Sequence, residues 1–94
     1  TNRAKRGEII SFAELARKEM DCDQIRELIR RTPGIEPEGR IMAYHFIADD
    51  MHDADIAVQE GVNYSRSTVT RRLPKVISLV QYRYEKDKEL KAGA

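Results

Sequence analysis

"DADIAVQEGVNYSRSTVTRRLPKVISLVQ", residues 53–81, is the stretch that decides how this chain folds. Its first part reads as a short helix. Asp53 is a good N-cap for Ala54 to Glu60, and Gly61 follows as a residue that takes a left-handed backbone without penalty. Val62-Asn63-Tyr64 reads as a turn with one apolar anchor, and Ser65 or Asn63 caps a second helix. Ile56 and Val62 anchor the first helix and the turn in a core, while small Ala57 lets the two helices approach closely. Val69, Leu73, Val76, Ile77 and Val80 then form the inward stripe of the second helix.

A short helix, a turn and a second helix rich in Ser, Thr and Arg make a helix-turn-helix pattern. At ~100° per residue, the side opposite Val69 and Leu73 presents Ser67, Thr70, Arg71 and Pro74, with Arg66, Thr68, Arg72 and Lys75 on the flanks. Such a face suits a DNA major groove: outer residues reach base edges and flanking cations reach the phosphate walls. Arg71 is the best placed for a bidentate guanine contact. Tyr64 and Ser65, at the helix start, suit phosphates, where free N–H groups and the helix dipole also point. The expected DNA-binding set is Tyr64, Ser65, Arg66, Ser67, Thr68, Thr70, Arg71, Arg72 and Lys75.

Pro74 leaves two readings open. The apolar phase continues across it, so it kinks one helix, having no N–H for the Thr70 carbonyl and crowding that group. Alternatively it opens a new helix at the first position, which proline favours.

Working outward, Ser11-Phe-Ala-Glu14 has the spacing of a capping box, with Phe12, Leu15 and Ala16 on one face. Asp21-Cys-Asp-Gln24 offers a similar cap ahead of Ile25, Leu28 and Ile29. Thr32-Pro-Gly34 ends that helix and Ile35 to Gly39 is a short connection. A third helix is predicted from about Arg40 to Met51, with Ile41, Tyr44, Ile47, Ala48 and Met51 as its stripe. Residues 1–7 and 91–94 read as frayed ends. There is no strand-like alternation of useful length and no internal repeat. The expected fold is all-α: one small domain over 1–94 of about five helices containing a helix-turn-helix. It comprises an N-terminal helical pair at 8–34, a helix-turn-helix core at 40–82, and a C-terminal helix end and tail at 83–94. Ile77, Val80 and Tyr84, at i, i+3 and i+7, either finish the domain's own core or face a second copy of the chain.

Composition bounds the function. The chain has 94 residues, 40% hydrophobic and 35% charged, a mix that fits a compact fold rather than disorder. It opens on Thr1, as a fragment or a processed product does, and shows no signal-peptide pattern. No apolar run approaches the ~20 residues of a membrane span. Cys22 is the only cysteine, so no internal disulfide forms and a reducing, cytoplasmic setting is expected. The net charge of +1 hides an uneven distribution: residues 1–6 carry +3, residues 7–65 hold 6 basic against 13 acidic, and residues 66–94 hold 8 basic against 3 acidic. A basic third on an acidic body steers polyanions through its local field.

Catalysis is not expected, since no Ser/His/Asp or Cys/His set is suggested by spacing and no glycine-rich phosphate loop occurs. Asp49 and Asp50 are neighbours on a helix and point ~100° apart, which suits an acidic patch rather than a shared substrate. His45, Asp49 and His52 share one helix face at i, i+4 and i+7, but with no fourth ligand nearby they read as polar residues on a solvated face. No cofactor and no metal are expected.

The quoted stretch resembles the region-4-type helix-turn-helix of sigma factors, and is closer to small phage regulators of the ArpU and RinA kind. The resemblance covers about residues 40–82, and Asn63-Tyr-Ser-Arg-Ser-Thr-Val69 is similar to their turn and recognition-helix start. The turn departs from the shortest version of the motif by two extra residues, Pro74 is a second departure, and residues 8–34 match neither group. The resemblance implies a DNA-binding transcription regulator from a phage or mobile element of Gram-positive bacteria, with double-stranded DNA as partner. Two alternatives stand beside it: a DNA-packaging component like a small terminase subunit, and a module that binds RNA polymerase through its acidic body.

Overall fold

Five helices carry the chain, and no strand occurs among the described residues, 6–92 of a computed structural model. They are α1 (Arg6–Glu19), α2 (Cys22–Arg31), α3 (Pro37–Ile47), α4 (Asp53–Ala57) and α5 (Arg66–Ala92). The all-α class expected from the sequence is the one observed. At 27 residues and ~1.5 Å per residue, α5 is about 40 Å long, close to the 43 Å longest dimension of the molecule. It is the spine, and α1, α2, α3 and α4 all pack against it.

Local chemistry accounts for most boundaries. At the start of α2, the Gln24 N–H donates to Asp21 Oδ1 at 2.8 Å and the Asp21 N–H donates to Gln24 Oε1 at 2.9 Å, a complete capping box. The helix stops at Thr32, whose hydroxyl donates back to the Leu28 carbonyl at 2.8 Å, and Gly34 follows at φ 81. The box expected at Ser11 does not form, because α1 already runs from Arg6 and Ser11 lies a turn inside it. Burial explains the earlier start. Ile9 is fully buried and joins Phe12, Ala13 and Ala16 on one face, whereas Leu15, expected there, is 42% exposed. Arg6, Gly7, Lys91 and Ala92 are therefore helical rather than frayed, while the other expected frayed positions, 1–5 and 93–94, lie outside the described residues.

α3 begins at Pro37, not near Arg40, so Pro37 to Gly39 form its first turn rather than a connection. Proline favours this position: its fixed φ is helical and the N–H it lacks has no partner there. The helix ends at Ile47, short of Met51, and Asp50 turns left-handed at φ 54. Its buried face is Met42, Ala43, Phe46 and Ile47; of the expected stripe Ile47 is fully buried, and Ile41, Tyr44, Ala48 and Met51 flank the core. Gly39 leaves room for the Ile35 side chain in the loop ahead of α3, on the side of the helix that meets Val76 of α5. A Cβ there would lie 2.8 Å from Ile35 Cγ2 and 3.4 Å from Val76 Cγ2.

One helix crosses Pro74, so the reading in which that proline opens a separate helix does not hold. Buried Val69, Leu73, Ile77, Val80 and Tyr84 keep their phase along it. Ile77, Val80 and Tyr84 finish the chain's own core, where the Tyr84 ring meets Phe12 edge-on at 5.6 Å. No described helix is long and apolar enough to cross a membrane.

Candidate nucleic-acid interface

The basic start of α5 is held in place by α4, by the turn before it and by the loop ahead of α3. α4 is shorter than the sequence suggests. It stops at Ala57 instead of Glu60, and its N-cap is His52 rather than Asp53. Asp53 turns inward, where its side chain is only 10% exposed. Its carboxylate pairs with Arg6 from the first turn of α1 and accepts a 2.6 Å hydrogen bond from the Thr70 hydroxyl of α5. Burial pushes the Asp53 carboxyl up, but the hydrogen bonds from Arg6 and Thr70 and the charges of Arg6 and Arg66 outweigh it. The group stays below the ordinary carboxylate range.

Residues 58–65 link α4 to α5, a longer connection than the turn read from the sequence. Val62 is its buried anchor, and its N–H donates to the Gln59 carbonyl at 3.2 Å. Gly61 at φ 89 and Asn63 at φ 58 provide the two left-handed steps. Ser65, not Asn63, caps α5: its Oγ accepts from the Thr68 N–H at 3.3 Å and donates to Thr68 Oγ1 at 3.0 Å, with Ser67 Oγ 3.2 Å away. Ser65, Ser67 and Thr68 thus form a cluster of hydroxyls on the first turn.

The nine residues expected at the interface fall into three groups. Ser65, Ser67 and Thr68 form the capped start. Arg66, Arg71 and Lys75 are exposed, and among the described residues none of their side chains makes a hydrogen bond or ion pair. The others are engaged. Thr70 is spent on Asp53, because at ~100° per residue it lies only ~60° from buried Leu73 and faces α4 rather than the side that carries Arg71. Arg72 stacks over the Tyr64 ring at 4.9 Å and lies 3.6 Å from Glu36 Oε2. The Tyr64 O–H donates to that same Glu36 oxygen at 3.0 Å. Burial first, then the Glu36 hydrogen bond and charge, raise the Tyr64 phenol above its ordinary value. Sequence reasoning missed Glu36, which is 28 residues from Tyr64 and belongs to a different helix start. No local pattern connects the two.

Most basic side chains elsewhere have acidic neighbours: Arg26 with Asp23, Arg30 with Glu27, Arg31 and Arg83 with Asp87, Lys86 with Glu89 and Lys88 with Glu19. Lys18 and Lys91 also lack an ion pair among the described residues, but Arg66, Arg71 and Lys75 lack one together on a single helix start. His45 Nδ1 pairs with Asp49 Oδ2 at 2.8 Å, while His52 sits apart at the α4 N-cap. Among the described residues no group of three or more His, Cys, Asp or Glu side chains is arranged to hold a metal ion. No protein-family model, curated protein or solved structure matches the chain.

Proposed function

We propose that the chain is a sequence-specific double-stranded-DNA-binding transcription regulator of phage or mobile-element origin, acting in the cytoplasm. In this reading α4 and α5 are a helix-turn-helix, and the first two turns of α5 read the major groove. One observation carries it. Arg66, Arg71 and Lys75 project from a capped helix start and make no ion pair among the described residues, most of whose other cations are paired. Cations left unneutralised on one face gain most from meeting phosphates, since each contact releases a counterion from DNA. Arg71 lies opposite the buried stripe and takes a base edge; Arg66 and Lys75 flank it and take the backbone.

The test is selection of bound sequences from a random duplex pool, followed by salt titration on the winner. An enriched motif is expected, with log affinity falling against log salt at a slope of roughly −3 to −4 for three or four phosphate contacts. No enrichment, or binding indifferent to salt, overturns the reading.

A further inference from the structure

Glu36 stands at the N-cap of α3, where its side chain makes no capping bond. It accepts from the Tyr64 hydroxyl at 3.0 Å and lies 3.6 Å from Arg72 Nη1. Arg72 in turn lies over the Tyr64 ring, with its Nη1 3.5 Å from the phenol oxygen. The trio borders a cleft of about 210 Å³ between the start of α3 and α5, whose α5 wall carries Arg71, Arg72 and Lys75. A carboxylate oxygen bridging an arginine and a tyrosine hydroxyl sits where a phosphate oxygen makes the same two contacts. Both groups are well exposed, with Arg72 at 47% and Glu36 at 67%, so the pair opens at little cost.

We infer that Glu36 is an internal competitor of the DNA backbone, occupying Arg72 and Tyr64 until a phosphate displaces it, and so sets how tightly this surface holds DNA of any sequence. The inference rests on the proposed DNA-binding reading. Stacking on Tyr64 keeps Arg72 oriented during the exchange, so the phosphate meets a preformed donor. Displacing Glu36 breaks its contacts with Arg72 and Tyr64, a cost that every backbone contact at Arg72 bears. Its effect is to lower backbone affinity without touching base contacts, which favours sequences that Arg71 reads well. Glu36 therefore acts through Arg72 as a positioning residue.

The experiment measures binding of a short labelled duplex of random sequence to the full chain, across salt concentrations, for wild type, E36Q, R72A and the double variant. The E36Q side chain keeps an acceptor for Tyr64 while removing the charge. E36Q is expected to bind roughly two- to fivefold more tightly near 0.1 M salt, the scale of one exposed ion pair. In the R72A background the same substitution is expected to change affinity less than about twofold. An equal gain in both backgrounds overturns the inference and leaves Glu36 as a general repulsive charge; no gain in either overturns it too. If no protein binds duplex even at low salt, the DNA-binding reading itself fails and the inference with it. An unchanged thermal melt in E36Q separates all of these from a folding effect.

Discussion

Thr70 donates a 2.6 Å hydrogen bond to Asp53, tying the second turn of α5 to the first residue of α4. Arg6 holds the other carboxylate oxygen, so one nearly buried acid joins three helices. Asp53→Asn keeps the shape and removes the charge, and is expected to destabilise the fold by roughly 1–3 kcal/mol at neutral pH. The loss depends on pH. The folded Asp53 carboxyl titrates below its unfolded value, which is ~3.9. Its stabilisation is complete well above that value and is lost as pH falls through it and on through the lower folded pKa. The gap between wild type and Asp53→Asn should narrow on acidification below about pH 5. Urea melts over a pH series measure it, and a gap constant down to pH ~2 would show that the charge contributes nothing.

Two glycines should respond in opposite directions. Gly61 holds φ at 89, and a Cβ there would lie 2.7 Å from Ile41 Cδ1. Ile41 Cδ1 is the end of a flexible side chain and can give way; the left-handed backbone cannot relax without unmaking the turn. Gly61→Ala should cost ~1–2 kcal/mol. Gly7 lies within α1, and a Cβ there meets nothing within 4 Å. Gly7→Ala should raise stability by roughly 0.5–1 kcal/mol. Thermal melts of both variants decide it; a shift of the same sign in both contradicts this account.

Signals carried within one turn of helix were legible in the sequence, and signals carried between helices were not. The capping box at Asp21 and Gln24 and the stripe Val69, Leu73, Val76, Ile77 and Val80 are periodic or nearest-neighbour features; the box is observed as read, and the stripe is buried except for Val76, which flanks the core. The same capping spacing at Ser11 failed because the burial of Ile9 extends α1 backward past it. Asp53 has the chemistry of an N-cap, yet Arg6 and Thr70, 47 and 17 residues away, draw its carboxylate inward. In the candidate site, Arg66, Ser67, Arg71 and Lys75 stand exposed as their phase on the helix required. The partners of Thr70, Tyr64 and Arg72 come from α4 and the α3 start, so only the fold reveals which of the nine are already engaged.

Arg71 and Lys75 should separate base reading from backbone binding. Both are exposed and unpaired among the described residues, so neither substitution should alter folding. Arg71→Ala should weaken the selected sequence by ~1–3 kcal/mol and relax preference at one base position. Lys75→Ala should weaken all sequences alike and reduce the salt slope by about one unit. Titrations of the selected and a scrambled duplex at several salt concentrations give both numbers. If Arg71→Ala lowers both duplexes equally, Arg71 holds phosphate and another residue reads the base.

Pro74 lies inside α5, between two parts of the helix with different duties. Before it are Arg66 to Leu73, whose outer side carries Arg66 and Arg71, with Lys75 just past the proline; further on, Ile77, Val80 and Tyr84 are locked into the core with α1 and α2. Proline leaves the Thr70 carbonyl without its helical donor and crowds it, so the direction of the first two turns is set at this point. Pro74→Ala restores that donor, and an interior proline costs a helix ~3 kcal/mol relative to alanine. The domain should gain part of this and no more, because any change of helix direction at this point strains either the packing of Ile77 to Tyr84 or the Thr70–Asp53 bond. On the proposed reading DNA affinity should nonetheless fall, since a change of helix direction at residue 74 moves Arg66 and Arg71 relative to Lys75 and the rest of the domain. A rise in melting temperature together with weaker binding of the selected sequence is the expected pair of results. A stability gain with unchanged affinity would mean that the proline does not aim the helix, and that the basic face reads DNA equally well from a straight one.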